Sequence, residues 1–263
     1  MLLSGGAGDF LQCAPFMRAN RHLPIRYVVA SHLHGADDLF RALGVSVEKI
    51  ALFHDMASQN QVLEAFRHLG ELHPCPRYQY FQEPPFAIPP RLFDGRRKTL
   101  GIHLGGSTFS IRLQRQFGLP IKALPVRMIQ EFLDEGINLL LFGSQAEIAA
   151  FQLAERDNLK FICFPEISKS LAYVGHCDGF VGSDSAFKTM SAMLRIPTVV
   201  WMANYVDPPR DQTFIDPYAR DKVIFTFRYA RLDDEEIRAG ARFSKACLKN
   251  ALSTDRLLPL HQA

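Results

Sequence analysis

The sequence predicts an α/β protein made of two parallel-sheet halves, and three observations lead there. Apolar, β-branched runs alternate with helical patterns from residue 1 to 70 and again from 99 onward, as crossover-linked parallel strands require. Between these stretches, Glu71 to Arg97 carries six prolines (Pro74, Pro76, Pro84, Pro85, Pro89, Pro90) and no periodicity. So long a loop reads as a connection between domains, 1–90 and 91–263, the first of them abbreviated. Finally, strand-like runs end in small-residue turns at Gly5 to Gly8, Gly105 to Ser107 and Gly182 to Ser185, where backbone can approach a ligand.

In chain order, Met1 to Ser4 predicts a short strand, followed by a glycine turn and a helix from about Phe10 to Asn20 that Pro15 should kink or shorten. Asp9 with Gln12 three residues on has the spacing of a capping box. IRYVVA (25–30) is a strand, ADDLFRAL a helix stopped by Gly44, and VEKIALF the next strand. SQNQVLEAFRHLG places Val62, Leu63, Phe66 and Leu69 on one helical face. Tyr78, Tyr80 and Phe81 in the proline-rich connection suit either a sugar platform or loop anchoring, and anchoring is favoured.

The second half opens with TLGIHL and continues through a helix over 126–135 begun by Pro125, the buried strand INLLLFG and the helix QAEIAAFQLAE. NLKFIC and ISKSLAYVGHC lead into GFVGSDSAFKTMSAMLRIPTVVW (179–201), a strand, turn, helix and strand in succession. Asp184 there reads as a helix N-cap with Lys188 as its i,i+4 partner. A lysine in a first turn faces the positive end of the dipole, which asks for an anion nearby, either a bound phosphate or Asp184 itself. KVIFTF and a charged helix from 233 close the pattern.

Thirty basic and 27 acidic residues without long runs give a net charge of +3, which excludes a nucleic-acid footprint. Five cysteines without a CxxC pair predict reduced thiols in the cytoplasm. No apolar run reaches the ~18 residues of a membrane span and no signal pattern is present, so the expectation is a protein with no integral membrane segment, compatible with peripheral contact at the inner membrane. His103, His176 and Cys177 lack a fourth partner for a metal set, so no metal is expected.

Three local patterns together resemble glycosyltransferase family nine, the lipopolysaccharide heptosyltransferases. GAGDFLQCAP (6–15) is similar to the family's opening Gly-Asp with apolar residues and a proline; KALP (122–125) resembles its lysine before a proline-started helix; SDSAFKTMSAMLRIPTVVW (183–201) resembles its aspartate turn, small-residue helix, proline and strand. LLLFGSQAE supplies the preceding strand and acid, Glu147. Ala186 stands where the family usually has glycine, Thr189 where it has histidine and Leu124 where it has tryptophan.

The resemblance implies a GT-B-like fold, two Rossmann-like domains facing across a cleft, and inverting, metal-independent transfer of a sugar, heptose among the candidates, from a nucleotide-diphosphate donor to a glycan or glycolipid. The nucleotide sugar is a co-substrate and no cofactor is implied. Asp9 would be the base, with Gly8, His32 and His34 on the acceptor side. Ser107, Lys122, Glu147, Asp184, Ser185, Ala186 and Lys188 would form the donor side. Two other readings compete: a catalytically silent nucleotide- or glycan-binding module, and an oxidoreductase holding a dinucleotide at Gly6 to Gly8, although that turn lacks the third glycine of the fingerprint.

Overall fold

The computed structural model describes residues 1–52, 56–66, 68, 70, 72–77, 80–105, 124–133, 136–204, 222–228 and 233–253. The first half holds three parallel strands, β1 (Leu2–Gly5), β2 (Val28–Ser31) and β3 (Lys49–Leu52), in that spatial order. Helices α1 (Ala7–Ala19), α2 (Ala36–Ala42) and α3 (Met56–Phe66) follow the strands in turn. The open edge of β1 is covered by the start of the proline-rich connection: the Leu2 amide donates to the His73 carbonyl (2.9 Å) and the Cys75 amide to the Leu2 carbonyl (3.0 Å). Proline fits there because an edge position need not donate.

Six parallel strands form the second sheet: β4 (Thr99–His103), β5 (Asn138–Phe142), β6 (Leu159–Ile162), β7 (Gly179–Gly182), β8 (Thr198–Asn204) and β9 (Lys222–Arg228), ordered β6-β5-β4-β7-β8-β9. β4 and β5 are buried along their whole length, which is why they read as near-continuous apolar runs rather than alternating ones. This is the doubly wound order, and its reversal lies between β4 and β7, where a crevice opens beyond the strand ends. Around the sheet run α4 (Gln130–Leu133), α5 (Gln145–Ala150), α6 (Ile167–Ala172), α7 (Ala186–Met193) and α8 (Asp234–Leu252). Asp233 caps α8 by accepting the Glu236 amide at 2.9 Å, and α8 buries Ile237, Ala241 and Leu248 while Ser244 Oγ receives Trp201 Nε1–H at 3.0 Å.

Two expectations are corrected. α1 runs through Pro15 to Ala19, because Phe10, Leu11, Ala14 and Met17 are fully buried along it and that packing outweighs the missing amide. The helix expected over 126–135 starts instead as a 3-10 turn, Val126–Ile129, before α4.

The halves share one core. Phe10 and Met17 of α1 belong to the same buried cluster as Phe187, Met190 and Met193 of α7. The connection is pinned along its length: the Phe81 amide donates to the Met193 carbonyl (3.2 Å), Arg195 lies 5.2 Å over the Tyr80 ring, and His176 Nε2 is bonded to the Pro89 carbonyl (2.7 Å). Tyr80 and Phe81 are therefore anchors rather than a sugar platform; Tyr78 lies outside the described residues.

Candidate active site

The crevice between β4 and β7 is built by backbone. The Ser183 amide donates to the His103 carbonyl (3.0 Å) and Ser183 Oγ to the Gly105 carbonyl, stitching the two strand ends together. A Cβ on Gly182 would stand 2.5 Å from the His103 carbonyl oxygen, so only glycine allows this approach. Glu147 closes one wall: its Oε2 accepts the Ser144 amide (2.6 Å), Ser144 Oγ accepts the Glu147 amide (3.3 Å), and Oε1 lies 2.0 Å from where a Gly105 Cβ would be. A capping box thus lays a carboxylate across the backbone that follows β4.

On the other wall, α7 starts at Ser185. Its Oγ accepts the Lys188 amide at 3.4 Å and its carbonyl the Thr189 amide at 3.0 Å. The amides of Ala186 and Phe187 precede any carbonyl that an α-helix could offer them, so the positive end of α7 points into the crevice. Ser185, not Asp184, is the N-cap, because the chain turns helical one residue later than the spacing suggested. Asp184 instead binds Lys188 Nζ at 2.6 Å, with the lysine side chain 3% exposed and the aspartate 15%. The anion that the lysine called for is Asp184, and the pair is nearly withdrawn from solvent.

In the first half, Asp9 sits one turn into α1. Its Oδ2 accepts the Gly6 amide (2.9 Å) and its Oδ1 accepts Arg77 Nη1–H (2.8 Å), while Arg77 Nη2 donates to the Ser4 carbonyl (3.0 Å). The expected Asp9–Gln12 box is corrected: Gly6 is the N-cap, Asp9 at the third helical position accepts its amide without a reciprocal side-chain bond, and Gln12 is buried. Gly5 is required twice over, with φ of +120° and a would-be Cβ 2.2 Å from Asp9 Oδ2. His32 lies over the turn, its Nε2 3.0 Å from the position of a Gly6 Cβ, whereas His34 is exposed. The two halves meet at Gly8: a Cβ there would be 3.2 Å from Thr189 Oγ1 and 3.6 Å from the Ala186 Cα. The N-termini of α1 and α7 therefore pack against each other.

Ser107 and Lys122 lie outside the described residues. Leu124, in the family's tryptophan position, is buried and donates its amide to the Leu104 carbonyl (2.8 Å). The sequence reading missed Arg77, whose only signal was a lone arginine after Pro76. His103, beneath the crevice, packs tilted against Phe187 at 4.6 Å between ring centroids; complete burial pushes its pKa down to about 3, so the ring is neutral. Among the described residues no group of three or more His, Cys, Asp or Glu side chains is arranged to hold a metal ion.

No protein-family profile and no curated protein matches the sequence. Solved structures do. The chain is similar to a glycosyl transferase family 9 protein from Veillonella parvula DSM 2008 (TM-score 0.54, 11% identity, covering 95% of this chain and 97% of that one). It is also similar to ADP-heptose lps heptosyltransferase II of E. coli (TM-score 0.52, 12% identity, 95% and 99%) and to an E. coli heptosyltransferase solved with ADP-2-deoxy-2-fluoro heptose (TM-score 0.52, 14% identity, 94% and 99%). The fold is GT-B, as in family-nine glycosyltransferases. The second sheet carries the β4/β7 crevice, and α1 of the first half meets the start of α7 at Gly8.

Proposed function

We propose that this protein is a glycosyltransferase that moves a sugar from a nucleotide-diphosphate donor to a hydroxyl of a glycan or glycolipid, in the cytoplasm. The observation that carries the reading is the meeting of α1 and α7 at Gly8, which sets a carboxylate from one half beside an anion-suited crevice in the other. A fold alone does not assign chemistry, but this juxtaposition has the parts that glycosyl transfer needs.

The donor diphosphate lies against the Ala186 and Phe187 amides at the N-terminus of α7, an arrangement that favours negative charge. Lys122 and Ser107 add contacts from the segment after β4, Glu147 takes the ribose hydroxyls, and Asp184, held by Lys188, takes hydroxyls of the sugar. Asp9 accepts the proton of the acceptor hydroxyl as its oxygen bonds the anomeric carbon; the bond from that carbon to the diphosphate oxygen breaks, and the nucleoside diphosphate leaves. One displacement inverts the anomeric centre, and no metal is assigned a role. Arg77 fixes the Asp9 carboxylate in orientation, and His32 flanks the acceptor path. Heptose as the sugar is drawn from the solved heptosyltransferase bound to an ADP-heptose analogue.

A second reading, a binding module without turnover, has one observation in its favour: both Asp9 oxygens already have partners. Thermal shifts with ADP-, UDP- and GDP-sugars and with NAD(P), followed by nucleoside diphosphate release in the presence of candidate acceptors, separate the readings. Stabilisation with turnover supports the transferase, stabilisation without turnover the module, and stabilisation by NAD(P) alone contradicts both.

A further inference from the structure

A cavity of about 600 Å³ opens at the opposite end of the second sheet from the crevice, under the first residues of β4 and the Cys177–Asp178 approach to β7. That is the size of a small-molecule site. Its rim is the end of the proline-rich connection, which contributes four cations, Arg91, Arg96, Arg97 and Lys98.

Two carboxylates share the cavity, and both are committed. Asp178 accepts Lys98 Nζ–H at 2.8 Å and the Thr99 amide at 2.9 Å. Asp94 accepts the Arg96 amide at 3.0 Å and pairs with Arg96 Nε at 3.4 Å. Arg91 and Arg97 also line the cavity, both are exposed, and among the described residues neither has a carboxylate partner. The backbone of Arg97 is held as well: its carbonyl accepts Asn138 Nδ2–H (3.4 Å). Guanidinium groups on an anchored rim match the oxygens of a phosphate with paired N–H donors.

We infer that this cavity binds a phosphate-bearing ligand through Arg91 and Arg97, at a site separate from the donor crevice. Its ligand is a soluble phosphate ester or the headgroup of an anionic phospholipid. The inference does not depend on the transferase reading, since none of these residues belongs to that site.

The test is calorimetric titration of the full chain with inorganic phosphate, and co-sedimentation with phosphatidylglycerol vesicles against phosphatidylcholine ones. Wild type, Arg91→Ala/Arg97→Ala and Arg96→Ala are compared, with melting temperatures taken alongside. Losing two charge-assisted contacts should weaken binding by about tenfold or more in the double variant, while Arg96→Ala, already paired with Asp94, stays within about twofold. Phosphate binding without vesicle binding identifies a soluble ligand, and selective vesicle binding identifies the lipid headgroup. A double variant that is folded and binds like wild type overturns the inference, as does wild type that takes up neither probe.

Discussion

Asp9→Asn separates catalysis from support, because Asp9 holds the Gly6 amide and Arg77 in the structure and is the base in the proposed reaction. Asparagine keeps one side-chain oxygen, so the bond from the Gly6 amide at 2.9 Å survives. With that oxygen on Gly6, the asparagine NH2 faces Arg77 Nη1–H, donor against donor, so the 2.8 Å ion pair is lost. Its side chains are 38% and 29% exposed, so solvent screens the pair and its loss costs about 0.5 to 1 kcal/mol. For a chain of this size that lowers the melting temperature by only about 1–4 °C. Removing a general base lowers the chemical rate by about 10² to 10⁴ while donor affinity persists. The assay is release of nucleoside diphosphate with donor and acceptor, read beside donor affinity and melting temperature. A variant that melts within this range yet turns over like wild type would refute Asp9 as the base and leave it a cap and an arginine partner.

Three further outcomes follow from the geometry. Gly105→Ala drives a Cβ to within 2.0 Å of Glu147 Oε1, so the carboxylate must leave the wall; donor affinity falls while the melting temperature changes by about 1 kcal/mol equivalent, the worth of a cap, and unchanged affinity would remove Glu147 from the donor site. Lys122→Ala weakens nucleoside diphosphate binding by about 1.5–3 kcal/mol without unfolding the protein, measured by calorimetry. His103 is neutral when folded, with its pKa depressed from 6.5 to about 3, so the unfolded chain takes up a proton that the folded chain refuses. That contribution is complete above pH 6.5 and is lost as pH falls toward 3, with a slope of up to about 1.4 kcal/mol per pH unit. Denaturant melts between pH 5 and 7 should show it, and His103→Leu should flatten it.

The alternation of elements was legible because each strand and helix is written in contiguous residues: TLGIH and NLLLF need no distant partner to be recognised as buried strands. The turns at Gly5 and Gly182 were legible for a related reason, since close backbone approach leaves glycine as a mark. Arg77 was not, because its meaning arises only when residues 73–75 pair with β1 and bring it 2.8 Å from a residue 68 positions earlier. Likewise, whether Asp184 or Ser185 caps α7 turns on one residue's backbone conformation, and local composition offers two equally good caps in a row. The anchoring of Tyr80 by Arg195 and the isolation of His103 against Phe187 are likewise products of tertiary packing.

The central claim is that a nucleotide diphosphate seats at the β4/β7 crevice, with the first half supplying the acceptor side. Amide hydrogen exchange of the full chain, with and without a saturating nucleoside diphosphate, tests it most directly, because the amides proposed to hold the ligand are specific ones. The account predicts slowed exchange at Ala186 and Phe187, with little change over Gly5 to Gly8. Protection confined to Gly5 through Gly8, with the Ala186 and Phe187 amides unaffected, would contradict it.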